Sequence, residues 1–172
     1  NGVSAASLLL APGKVAQIGM RPKPRDVSQE ETRFYVEADQ LYLPGPGVID
    51  GHHQLNVRPS QGQVSSLSVA IPAGLTVSSV EGPIASWQFD AEKSNLQLAI
   101  EPPQAKTFTV KIGTQRGLDP LPADATLQPL RVEGAAGEVG LVALAFGPDA
   151  QPEKAESDQL PTINAGDFNA AM

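Results

Sequence analysis

Residues 64–112 read VSSLSVAIPAGLTVSSVEGPIASWQFDAEKSNLQLAIEPPQAKTFTVKI. Strict alternation of apolar and polar residues marks a strand with one buried face, because successive side chains on a strand point to opposite sides. Leu67, Val69 and Ile71 share one face, with Ser66, Ser68 and Ala70 on the other. Pro72-Ala73-Gly74 breaks the run, Leu75 and Val77 resume it, and Gly82-Pro83 breaks it again. Trp87 and Phe89 then alternate with polar neighbours, and the polar Glu92-Lys93-Ser94-Asn95 makes a turn. Leu96, Leu98 and Ile100 form the next apolar face, Glu101-Pro102-Pro103 is expected to end it, and Phe108, Val110 and Ile112 form another. Short strands at about 10-residue spacing, separated by turn signals, indicate a sandwich or barrel. Apolar residues are not repeated at helical spacing over three turns, which excludes a helix-rich reading.

Outward from this stretch, Phe34 to Leu43 has strand character, but Phe34 and Val36 share one parity and Leu41 and Leu43 the other. That slip predicts a bulge, or two strands joined near Asp39. After Pro44-Gly45-Pro46-Gly47, Ile49, His53, Leu55 and Val57 fall in phase, with Asp50, His52, Gln54 and Asn56 opposite them. Gly113 to Gln128 reads as loop and Leu130-Arg131-Val132 as a short strand. Val139 to Phe146 (VGLVALAF) is apolar at both parities, the pattern of a strand buried on both faces. The fold expectation is therefore all-β, an antiparallel sandwich of two packed sheets with about seven to ten strands.

The domain reading has three parts. Residues 1–33 form an N-terminal segment, 34–146 the sandwich, and 147–172 an acidic linker-like end. Within the first part, Leu8–Leu10 and Val15–Ile18 read either as two extra strands or as part of a linker, and Asp26 to Thr32 as a helical turn. Ile163 to Met172 has too little apolar content to hold itself. The abrupt ends suggest a piece of a longer exported protein.

The chain of 172 residues has net charge −7 and no basic run longer than Arg21-Pro22-Lys23-Pro24-Arg25, which argues against nucleic-acid binding. It contains 16 Gly, 16 Pro and no Cys, so disulfides, thiolate metal sites and Cys nucleophiles are excluded. No apolar run approaches the ~20 residues of a membrane helix, so membrane insertion of this segment is not expected.

Asp50-Gly51-His52-His53 is the one cluster of metal-capable side chains in the sequence. Adjacent residues on a strand point to opposite faces, so His52 and His53 cannot share an ion, and Asp50 with His52 falls short of the three or four ligands a site needs. The expectation is a semi-buried His53, a surface His52 and no metal site. Trp87 is expected in the core with Phe89; a sugar-stacking role would require it to be exposed. Gly45 and Gly47 flank a proline that lacks an N–H, and no G-x-S-x-G elbow is present, so neither a phosphate loop nor a serine nucleophile is read. No catalytic residue, metal ligand or cofactor is assigned.

From Arg33 to Ile112 the order of features resembles the N-terminal β-sandwich domain of aminopeptidase-N-type proteins. The residues that carry it are Asp50-Gly51 with Leu55 and Val57, then Leu75, Val77 and Val80, then Trp87, Leu96, Leu98, Ile100 and Pro102. In that family the zinc ligands lie in another domain, and no H-E-x-x-H motif occurs here, so no activity carries over. The chain also resembles β-sandwich modules of large bacterial cell-envelope proteins. Both resemblances imply a non-catalytic structural or interaction module in the periplasm or outside the cell, with neighbouring domains of its parent chain or another envelope protein as partners. A carbohydrate-binding module, and a metal-dependent hydrolase fragment using Asp50 and His52, are the alternatives.

Overall fold

A computed structural model describes residues 26, 30–148, 151–154, 156, 161, 163–166 and 168. The described residues form nine strands: β1 (Arg33–Gly45), β2 (Val48–Gln61), β3 (Val64–Ala70), β4 (Thr76–Glu81), β5 (Ile84–Asp90), β6 (Asn95–Gln104), β7 (Phe108–Gly117), β8 (Arg131–Glu133) and β9 (Gly137–Leu144). They make a five-stranded sheet in the order β4-β7-β2-β1-β9 and a four-stranded sheet in the order β5-β6-β3-β8. The inner faces meet in one core that includes Val36, Leu55, Val69, Leu98 and Val110. An all-β sandwich is what the alternation predicted. Its one parallel pair among the described strands is β1 with β9; the other pairings are antiparallel.

The long β1–β2 hairpin sets the register of the larger sheet. Gly47, at φ 77°, makes its tight turn in a region that side chains other than hydrogen seldom adopt. The phase expected for β2 holds: Ile49, His53, Leu55 and Val57 are buried, and His52 is exposed. β8 lies where the short-strand signal placed it.

Several expectations are corrected. β1 is a single strand, paired with β2 without a break from Phe34 to Gly45. The inward positions after Ala38 are taken by Gln40 and Tyr42, while Leu41 and Leu43 lie half-buried on the other face. β6 runs through Pro102 and Pro103 to Gln104. These prolines fall where its ladder with β3 is interrupted by a register shift, so their missing N–H groups cost little. β7 continues through the first residues of the expected loop as far as Gly117.

VGLVALAF is not a buried central strand; its first six residues belong to β9, at the end of the five-stranded sheet, and Val139 is 71% exposed. Trp87 lies on the edge strand β5, opposite the buried Leu98, and is 42% exposed instead of enclosed. Of the helical turn expected over Asp26 to Thr32, residues 30–32 carry no helix and residues 27–29 lie outside the described residues; residues 165, 166 and 168 have helical backbone and Phe168 is buried. The reading of Leu8–Leu10 and Val15–Ile18, and most of that for residues 147–172, lies outside the described residues. Among the described residues, no helix is long and apolar enough to cross a membrane.

Candidate functional site

Two features depart from a plain apolar sandwich: a buried polar cluster and an open strand edge. The cluster grows from inward positions on three neighbouring strands. His53 on β2 is buried between Gln40 on β1 and Thr114 on β7. Its Nδ1 lies 3.0 Å from Gln40 Oε1 and its Nε2 2.8 Å from Thr114 Oγ1. The Gln40 amide reaches across to the segment that leads into β8: Nε2 donates to the Leu130 carbonyl at 3.0 Å, and Oε1 accepts from the Leu130 N–H at 2.8 Å. With Oε1 accepting, Nδ1 is the protonated ring nitrogen of His53, and Thr114 donates to Nε2. Tyr42 closes the group, donating through its hydroxyl to the Gln128 carbonyl at 2.8 Å and meeting the His53 ring edge-on at 5.3 Å.

Gly51 makes this meeting possible. A Cβ there would stand 2.6 Å from His53 Nε2 and even closer to Thr114 Oγ1, so any side chain would break the hydrogen bond between them. Burial pushes the Tyr42 hydroxyl up to about 12. It also pushes His53 down to about 4, with the positive charge of neighbouring His52 adding to the effect. A neutral imidazole with both nitrogens committed inside a core has no route to a substrate. The cluster positions backbone: it ties Gln128 and Leu130 to the five-stranded sheet before the chain joins the other one.

Asp39, beside Gln40, points to the outer face of the same sheet and is nevertheless 1% exposed. Neither carboxylate oxygen has a hydrogen-bond partner. Burial raises its pKa, and the like charge of Glu37 raises it further; the Leu141 backbone N–H pulls in the opposite direction without closing a hydrogen bond of good geometry. Asp50 and His52 share that outer face, as expected, and Gln115 Nε2 donates to Asp50 Oδ1 at 3.0 Å. No group of three metal-capable side chains converges among the described residues. On the outer face of the smaller sheet, Ser68 Oγ accepts from Asn95 Nδ2 at 2.8 Å and Gln97 Nε2 at 2.9 Å, and donates to the Glu133 carboxylate.

The second feature is β9. It is bound along one side to β1, and among the described residues no strand pairs with its other side. The fit to β1 is close, since a Cβ on Gly140 would run into the Ala38 backbone. Glu138 turns toward the smaller sheet and accepts from the Val132 N–H at 3.1 Å. β8 is only three residues long, and past Glu138 it leaves Val142 42% and Leu144 45% exposed, with Phe146 just beyond them. The sequence signal for this edge was present in VGLVALAF; alternation alone could not tell a strand with two covered faces from one awaiting cover.

No protein-family model and no curated protein matches the chain. Among solved structures it is similar to an M1 zinc metallopeptidase from Deinococcus radiodurans, at 14% identity and TM-score 0.37 over 52% of this chain and 21% of that one. It is also similar to a two-domain M1 zinc metallopeptidase bound to L-tryptophan, at 14% identity and TM-score 0.40 over 56% and 23%. A non-cellulosomal cohesin from Archaeoglobus fulgidus is similar at 14% identity and TM-score 0.38 over 66% of this chain and 91% of that one. The matched stretch thus spans about a fifth of the metallopeptidases' length. These likenesses are in keeping with the resemblance drawn from the residues of β2 to β6.

Two measurements probe the polar groups. The ordinary histidine value is 6.5 and the folded value of His53 about 4, so folding favours the neutral ring. The stability linked to it is complete above about pH 6.5 and is lost as pH falls toward 4. Urea denaturation at pH 7 and pH 4.5 should show a drop that is smaller by about 2–3 kcal/mol in His53→Gln than in the parent chain. An equal drop in both would show that His53 does not titrate this way. For Asp39 the sign is reversed, because a raised folded pKa makes the ionised form unfavourable at neutral pH. Asp39→Asn should gain about 1 kcal/mol at pH 7, and the gain should shrink as pH falls through the raised folded pKa toward the ordinary value of 3.8.

Proposed function

We propose that this domain is a non-catalytic protein-interaction module of a larger exported bacterial protein, located in the cell envelope, and that it engages its partner through the free edge of β9. The observation that carries this reading is the apolar strand that, among the described residues, is left open at the end of the five-stranded sheet, with Val139, Val142 and Leu144 exposed. An unpaired strand edge offers a row of backbone donors and acceptors to any extended segment, and the side chains on its two faces select among them. The buried polar cluster fits a scaffolding role, since its reactive-looking histidine is consumed in holding the crossing segment.

Affinity retention tests the reading. The immobilised chain should retain specific proteins from a bacterial envelope extract, and Val142→Lys should lose them while keeping its melting temperature. Retention of the same set by both forms would overturn the assignment to β9. Turnover in a broad hydrolase panel, abolished by a point substitution, would overturn the non-catalytic reading.

The exposure of Trp87 supports a second reading, carbohydrate binding. An indole 42% open at the edge of β5 can stack on a sugar ring. Oligosaccharide titration followed by Trp fluorescence should give a saturable change that Trp87→Ala removes; a flat response across the common envelope glycans would discard this reading.

A further inference from the structure

Among the described residues the sandwich has four outer strands, and three of them carry devices that discourage pairing with another chain. β4 (TVSSVE) is polar and has a register shift between Val77 and Ser79. β5 (IASWQFD) has a shift between Ile84 and Ser86. β8 is only three residues long. Bulges, polar side chains and short length all blunt an edge. β9 has none of these: eight residues, GEVGLVAL, with no proline, no lysine, one charge at its start and an unbroken ladder to β1. It has the composition of a central strand at a terminal position, as its apolar pattern on both faces indicates.

We propose that β9 pairs with β9 of a second copy, antiparallel about a two-fold axis, to make one continuous ten-stranded sheet. This rests on the interaction-module reading and names its partner. The edge requires an extended strand that is apolar on both faces and almost uncharged, and β9 itself meets that requirement. A two-fold axis perpendicular to the sheet keeps equivalent faces on the same side, so paired positions must share parity. Centred on Val142, it sets Leu144 opposite Gly140, where no side chain competes for space, and Leu141 opposite Ala143. Glu138 then lies opposite Phe146, and the two Glu138 side chains are separated by eight residue steps, roughly 27 Å. That is more than three times the screening length of about 8 Å at physiological salt, so the only charges on the edge do not oppose the pairing. One strand per copy makes a small interface, near or below about 1,000 Å² in total, so the dimer is weak and forms at micromolar or higher concentration.

The absence of cysteine from the chain makes the geometry directly testable. In the proposed register Val142 faces its own counterpart at a Cα separation of about 4.5–5.5 Å, within disulfide range. Sedimentation equilibrium of the parent chain from about 10 to 500 µM should show mass rising from one chain toward two. Val142→Lys should weaken that association at least tenfold, and Thr76→Lys on the β4 edge should leave it unchanged. Under mild oxidation Val142→Cys should form a covalent dimer far faster than Thr76→Cys. A monomer throughout this range, association unaffected by Val142→Lys, or equal crosslinking of the two cysteine variants would each overturn the proposal. A monomer whose envelope partners are still lost in Val142→Lys would refute the second copy while leaving the interaction-module reading intact.

Discussion

The fold depends on one side-chain amide. Between β7 and β8 the chain leaves the five-stranded sheet and crosses to the other, and while crossing it has no ladder to satisfy its backbone. Buried N–H and C=O groups left unpaired cost about 1–3 kcal/mol each. Gln40 supplies both missing bonds to Leu130, as a neighbouring strand would, while also accepting from His53. Removing the amide would strand three buried groups at once. An apolar residue of similar size would fill the space and satisfy none of them, which is why a polar side chain occupies what is otherwise a core position.

This arrangement explains how far the sequence could be read. Alternation identifies inward faces where the core is apolar, and β2, β3, β6 and β7 were legible on that ground. It fails in β1, where Gln40 and Tyr42 take core positions because their polar atoms find partners almost ninety residues away. Leu41 and Leu43, which look like the buried pair, face outward. The role of His53 was half legible: its phase placed it inside, but its partners Gln40 and Thr114 come from strands that become its neighbours only in the folded sheet.

The other misreadings concern cover rather than phase. Trp87 and the residues of β9 lie on strands with the expected pattern, and their exposure is set by what stands beside and opposite them. β8 is too short to cover β9, and among the described residues β5 has a neighbouring strand on one side only. Neither condition is written in the local sequence, since both depend on how two sheets of unequal size meet. The same holds for Asp39, an ordinary polar residue in the pattern that folding leaves buried and unpartnered.

The cluster and the edge are linked through β1. Its inward side chains Gln40 and Tyr42 are fixed by the crossing segment, its backbone is locked to β2 from Phe34 to Gly45, and its other side holds β9 through a parallel ladder from Tyr35 to Tyr42. A strand edge binds well only if it is already extended and immobile, because ordering it at the moment of association would consume the small free energy that one added strand supplies. β9 has little packing of its own; its inner face is largely open past Glu138. β9 is held by its ladder to β1, and β1 by its ladder to β2 and by the bonds that Gln40 and Tyr42 make to the crossing segment. In the proposed interaction, a buried histidine network without access to solvent would bear on recognition by holding an exposed strand straight.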